Sequence, residues 1–351
     1  MNRESSQMGT DSPVITTATP DLLGRKVHDL RLSVTDRCNF RCTYCMPKEI
    51  FGHAHPFLPK SEILTFEEMV RISRIFVGLG VGKIRVTGGE PLLRRDLPKL
   101  IEMLMAIEGL QDLALTTNGS ALASLARPLR QAGLKRITVS LDALDDTVFR
   151  AMNDVDFPVE RVLAGMEAAL DAGFAVIKVN MVVKRGVNEH EILPMARRFS
   201  GPQYILRFIE FMDVGNTNRW LMNEVVTASQ IIDILHQEFP LESLPATYSG
   251  EVARRFRHAD GGGEIGIISS VTQPFCSQCS RARVSAEGRL YTCLFASQGH
   301  DLRTLLRQEP DDAKVAAVIS QIWAARNDRY SELRSETTQH APKVEMSRMG
   351  G

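Results

Sequence analysis

The six cysteines of this 351-residue chain fall into two trios and nowhere else. Cys38, Cys42 and Cys45 lie in "CNFRCTYC", spaced C-x3-C-x2-C. Cys276, Cys279 and Cys293 lie in "FCSQCSRARVSAEGRLYTCLF", spaced C-x2-C-x13-C. Thiols scattered as small core hydrophobes would not sort this way, and two three-thiol sites in a reducing compartment read as metal sites. Three thiolates on one tight loop can hold three irons of a [4Fe–4S] cluster and leave the fourth open to a small molecule. Zinc is the competing reading. It suits the second trio better than the first, because His258 or His300 could complete a four-ligand site there. Arg281 and Arg283 follow Cys279 by two and four residues. In an extended segment they share a face, and their planar forks match phosphate oxygens and purine acceptors. The pair argues for an anionic substrate beside the second trio.

The elements that must position these residues read as alternating strands and helices. Strands are expected at 30–34, 83–87, 113–117, 136–141, 176–183 and 204–211. Between them lie helical patterns. One starts at Thr65 with Glu68 in capping-box spacing and stops near Gly80. "GLGVGK" (78–83) is a helix-to-strand turn, since Ile84 stands where a phosphate loop needs Ser or Thr. Near-continuously apolar strands imply a parallel sheet with covered faces. Six units imply an incomplete, TIM-like (β/α)6 barrel. Such barrels carry chemistry at the strand C-terminal ends. There lie the first cysteine loop, "GGEP" (88–91), "TNG" (117–119), "SLDA" (140–143) and "FMDVGN" (211–216), while Lys178 and Asn180 lie on the fifth strand. The two glycines of "GGEP" let the backbone approach a ligand closely, with Glu90 near a cationic group.

The first trio, on the loop after the first barrel strand and followed by "GGEP", resembles the radical S-adenosylmethionine superfamily. Both trios together, with the Gly-Gly terminus, closely resemble the GTP 3′,8-cyclase family of molybdenum cofactor biosynthesis, from about residue 24 to 351. That resemblance implies two [4Fe–4S] clusters and S-adenosylmethionine as cofactors. It implies that a 5′-deoxyadenosyl radical takes the ribose 3′ hydrogen of GTP and that C3′ then closes on C8 of guanine. Tyr44, Gly89, Ser140 and Met212 match positions around S-adenosylmethionine. Arg31, Arg85, Thr116, Lys178, Arg281, Ala282 and Arg283 match GTP positions, and Arg207 is a further candidate whose competing reading is a pair with an acid. Arg281, Arg283, Gly350 and Gly351 match the catalytic positions, the two glycines threading a crowded pocket. The implied partners are a cyclic pyranopterin monophosphate synthase that takes the product, an electron donor and a second copy of the chain. The rivals are a peptide-modifying radical enzyme and a nucleotide-binding scaffold with two zinc sites.

Lysine plus arginine equals aspartate plus glutamate, 42 each, so no general nucleic-acid or anionic-membrane footprint is expected. No apolar run reaches the length of a membrane span, and the polar first twenty residues lack a signal or transit pattern. A cytoplasmic protein is expected. The expected organisation is a disordered tail over 1–23, the barrel over 24–215, an auxiliary-cluster region over 216–340 and a flexible tail over 341–351.

Overall fold

The computed structural model describes residues 19–248, 250–259, 261–334 and 342–350. β1 (Asp29–Ser33), β2 (Lys83–Thr87), β3 (Asp112–Thr117), β4 (Arg136–Ser140), β5 (Ile177–Val183) and β6 (Tyr204–Glu210) pair in order and in parallel. Each bound lies within one residue of the sequence expectation. The crossovers are α1 (Phe66–Gly78), α2 (Leu97–Met105), α3 (Leu122–Gln131), the α4 (Asp146–Asn153) and α5 (Val159–Asp171) pair, and α6 (Ile192–Arg198). Thr65 and Glu68 close the expected capping box on α1, and Gly80 turns the chain toward β2 with φ 101°.

The barrel strands are not apolar on both faces, as the sequence had suggested. Leu30, Leu32, Ile84, Val86, Leu113, Leu115, Ile137 and Val139 are buried in one core with helix residues such as Ile72, Phe76, Leu100 and Ile101. The alternate residues form the opposite face. Arg31, Arg85, Thr116, Ser140, Asn180 and Arg207 line a cavity. Period-2 alternation here separates a packed outer face from a polar lumen.

After residue 216 the chain adds α7 (Ala228–Leu235) and six more strands to the same sheet. β7 (Leu241–Leu244) and β8 (Arg254–His258) run antiparallel beside β9 (Glu264–Ile268), which joins β6 in parallel. β10 (Arg281–Val284) joins β1 in parallel, and β11 (Arg289–Tyr291) and β12 (His300–Asp301) follow antiparallel. α8 (Leu302–Gln308) and α9 (Asp312–Ala324) come next. β1 and β6 would otherwise present unpaired backbone edges. Their new neighbours extend the parallel run to β10-β1-β2-β3-β4-β5-β6-β9, and β9 and β10 do not pair with each other. The extension and the barrel therefore share one sheet.

Both expected tails are shorter than the sequence suggested. Residues 1–18 lie outside the described residues, but Asp21 is buried and binds Arg25 and Arg326. At the other end, residues 342–350 are docked. Lys343 is buried with its Nζ donating to the Asp213 carboxylate and carbonyl, Glu345 accepts from Asn216 and Thr217, and Met349 is fully buried. Gly351 lies outside the described residues.

Candidate active site

All six cysteines line one cavity of about 300 Å³. The first trio sits on a loop held from several sides. Phe40 packs against Phe149 and Phe157. Arg41 donates to the carbonyls of Phe51, Cys38 and Phe40 at 2.6–2.8 Å. The amides of Arg41 and Thr43 donate to the carbonyls of Asn153 and Met152 at the end of α4. Burial, and then Glu90 nearby, push the Cys38 thiol up to about 12. Burial and the other thiols raise Cys42 well above its usual value. Burial and mutual repulsion oppose free thiolates here more than Arg41 favours them, and iron coordination would offset that cost.

The glycines of "GGEP" are required by this loop. A Cβ on Gly88 would sit 2.5 Å from the Thr35 carbonyl oxygen, and one on Gly89 2.3 Å from that of Arg37. The amides of Gly89 and Glu90 donate to those same carbonyls. The close approach expected toward a ligand is thus made to the cysteine loop itself. Glu90 lines the same cavity and is held by protein donors. Its carboxylate accepts from Leu92 N, Thr117 Oγ1 and Asn118 N at 2.7–2.9 Å, and burial raises it to about 7. Asn118 in turn points Nδ2 toward Cys38 Sγ at 3.8 Å.

Tyr44, Gly89, Ser140 and Met212 all line the cavity beside the first trio. Tyr44 donates to Asp142 at 2.7 Å, and burial raises that carboxyl to about 6. Asn180 Oδ1 is buried in the same wall with no hydrogen-bond partner. It is an acceptor that a bound cofactor could satisfy.

One part of the wall is cationic. Arg31 on β1 stands in register between Arg283 on β10 and Arg85 on β2. Arg85 donates to Thr116 and Thr138 at 3.0 Å each. Burial, and then Arg283 and Arg85, push the Arg31 guanidinium well below its ordinary value. Burial and neighbouring cations lower Arg85 and Arg283 to about 10 and Arg207 to about 9. Arg207 Nε is buried without a partner. Mutually repelling buried cations call for an anion.

A second, smaller cavity of about 100 Å³ shares Arg31, Arg85, Arg207 and Arg281 with the first and adds Lys178, Lys83, Arg136 and Tyr248. Lys178 thus belongs to the smaller cavity. Lys83 was missed at the sequence level, although it precedes Arg85 by two on the same strand face, the spacing that drew attention to Arg281 and Arg283. Ala282 lies between those two arginines, packs into the apolar core and lines neither cavity.

The second trio meets this wall. Arg281 Nη2 lies 3.5 Å from Cys279 Sγ, and its guanidinium lies over the Phe275 ring. Burial works to raise the Cys279 thiol, but Arg281 and Arg326 outweigh it and bring the thiol down to about 6. Burial, and then Asp328, push Cys293 up to about 12. Among the described residues no three such side chains converge closely enough to hold a single ion. The donor set, three thiols in each trio opening into one cavity, is that of a four-iron cluster with one iron left open. Arg283 donates to the Gly350 carbonyl, which brings the docked terminus into the site.

Residues 32–199 match the family model of the radical SAM superfamily, and residues 204–332 match that of Molybdenum Cofactor Synthesis C. The GTP 3′,8-cyclase of Acidothermus cellulolyticus is 55% identical over 319 residues, covering 90% of this chain and 88% of that one. That of Xanthomonas axonopodis pv. citri is 52% identical over 331 residues, 94% of this chain and 98% of its own. Among solved structures, methylornithine synthase aligns at 16% identity with a TM-score of 0.48, over 90% of this chain and 86% of that one. Two near-full-length relatives at this identity, and matches to both family models, establish that the chain belongs to the GTP 3′,8-cyclase family of radical SAM enzymes.

Proposed function

We propose that this chain converts GTP to 3′,8-cyclo-7,8-dihydro-GTP, the first step of molybdenum cofactor biosynthesis. The observation that carries the reading is that both cysteine trios open into one cavity that a set of buried, mutually repelling arginines also lines. When bound on Cys38, Cys42 and Cys45, a [4Fe–4S] cluster supplies the electron that cleaves S-adenosylmethionine and so provides the 5′-deoxyadenosyl radical for the ribose 3′ hydrogen.

Tyr44, Gly89, Ser140, Asn180 and Met212 hold the cofactor beside the first trio. Arg31, Arg85, Arg283 and Lys178 neutralise the triphosphate, with Thr116 alongside. Arg281 holds the nucleotide against the second trio, where Cys276, Cys279 and Cys293 would hold a second [4Fe–4S] cluster that would bind the base. Ala282 contributes at most its backbone there, since its side chain is in the core. Fixing the nucleotide at both ends selects one C–H bond for a radical that attacks whatever lies nearest. The terminus, docked through Gly350, closes the cavity and keeps water out. The peptide-modifying rival has no use for a cationic lumen.

The product passes to a cyclic pyranopterin monophosphate synthase, and a reductant supplies the electron. The chain acts as a homodimer in the cytoplasm, whose reducing conditions keep the six cysteines available as thiolate ligands. Among the described residues no helix is long and apolar enough to cross a membrane. The test is anaerobic incubation of the reconstituted chain with GTP, S-adenosylmethionine and dithionite. The expected result is 5′-deoxyadenosine formed in step with cyclised nucleotide. Cleavage at the same rate without GTP would remove GTP as the substrate.

A further inference from the structure

Against the second trio lies a buried ionic cluster, Asp21, Arg25 and Arg326, that does not line the cavity and to which the proposed function gives no role. Asp21 comes from the segment before β1. Its carboxylate binds Arg25 Nε at 2.6 Å and Arg326 Nη1 at 3.3 Å, and all three side chains are at most 3% exposed. Both guanidinium forks end on backbone carbonyls of the cysteines. Arg25 Nη1 donates to the Cys276 carbonyl at 2.7 Å, and Arg326 Nη1 donates to the Cys279 carbonyl at 2.6 Å. The third ligand position is tied in through Asp328. Thr292, next to Cys293, donates to Asp328 Oδ2 at 2.6 Å, Arg326 Nε approaches the same oxygen at 3.3 Å, and Arg25 Nη1 donates to the Asp328 carbonyl at 2.9 Å. Trp323 at the end of α9 fixes the assembly by donating to the Arg25 carbonyl and lying under the Arg326 guanidinium.

We propose that Asp21, Arg25 and Arg326 are positioning residues that set the ligand spacing of the second cluster. The inference rests on reading Cys276, Cys279 and Cys293 as its ligands. Burying two guanidiniums is costly, and apolar residues of similar volume usually serve stability as well or better. What apolar residues cannot do is hold two particular carbonyls. These ligands need that help. Cys276 opens a single 3-10 turn, Cys276–Gln278, Cys279 caps it, and Cys293 lies beyond β11. One carboxylate orients both forks, so the segment before β1 becomes part of the seat for ligands some 250 residues downstream.

The test compares two backgrounds. One carries Cys38→Ala, Cys42→Ala and Cys45→Ala and keeps only the second trio. The other carries Cys276→Ala, Cys279→Ala and Cys293→Ala and keeps only the first. Asp21→Asn is added to each reconstituted chain, and iron release to a chelator is timed. Outer hydrogen-bond partners of metal ligands typically contribute 10–100-fold in affinity, so release from the second-trio background should speed by roughly tenfold or more. Release from the first-trio background should not change. Equal acceleration in both backgrounds, or none in either, overturns the proposal, because a general loss of stability would not discriminate between the clusters. Should Asp21→Asn fail to fold, Arg326→Lys is read by the same comparison; it keeps the charge and loses the fork. A parent second-trio background that takes up no iron would instead overturn the two-cluster reading itself.

Discussion

The guanidinium of Arg283 donates to the backbone carbonyl of Gly350, the next-to-last residue of the chain. A buried arginine of the proposed phosphate site therefore also anchors the terminus. Gly350 is held at φ 76°, and a Cβ there would lie 2.2 Å from Thr87 Cγ2. Such backbone conformations cost a non-glycine residue about 1–3 kcal/mol, to which the collision adds.

Gly350→Ala should therefore push the terminus out of the site. Turnover should fall by at least tenfold, while GTP affinity, measured calorimetrically, stays within a few-fold of the parent, as each 1.4 kcal/mol corresponds to about a factor of ten. Product formation at the parent rate would show that the terminus need not occupy this position.

Arg281 and Arg283 differ in what they touch, Cys279 Sγ in one case and the terminus in the other. Both should lose nucleotide affinity on replacement. A charge-assisted hydrogen bond contributes about 1.5–3 kcal/mol, so Arg281→Ala and Arg283→Ala should each weaken GTP binding by roughly 10–150-fold. Iron should stay near about eight per chain, the content of two four-iron clusters. Unchanged affinity in both variants would remove the arginines from the substrate site.

Glu90 satisfies three donors with two oxygens. In Glu90→Gln one oxygen becomes an NH2 group, which must face either the Asn118 amide or the Leu92 amide and Thr117 hydroxyl. A buried donor is then left facing a donor, at a cost of about 1–3 kcal/mol. Denaturant unfolding of the metal-free chain should show that loss. Full stability would mean that the carboxylate has no structural share and serves the cofactor alone.

The strands, the cysteine trios and the arginine pair were legible because each rests on local spacing. Arg281 and Arg283 share a face whatever else the chain does. Their pairing with Arg31 was not legible, because β10 reaches β1 across some 250 residues and nothing in "SRARVS" names its neighbour. The basic lumen was legible in part, from Arg31 and Arg85 standing on their strands. Only the sheet shows that Lys83 joins Arg85 at the smaller cavity while Ile84 and Val86 enter the core. The resemblance pointed the terminal glycines at the pocket, but what anchors the segment before them was not legible. Lys343 reads as a surface charge until Asp213, 130 positions earlier, is brought against it.

The smaller cavity makes a pH prediction through Lys178. Burial, and then Arg207, Arg136, Arg85 and Lys83, hold its ammonium down to about 7 from the ordinary 10.5. The folded free chain thus carries fewer protons than the unfolded chain between about pH 7 and 10.5, and this group's contribution to stability rises with pH across that window. A triphosphate in the cavity would favour the ammonium and raise its value again. Binding above pH 7 should therefore take up a proton, and GTP affinity should fall as pH rises. At pH 8 the uptake from this group approaches one proton. Calorimetry in two buffers of different ionisation enthalpy measures it directly. Lys178→Met should bind GTP with clearly smaller uptake, the remainder coming from Lys83, which burial lowers to about 8 despite Asp29 beside it. If the variant and the parent take up the same number of protons, Lys178 does not meet the phosphates.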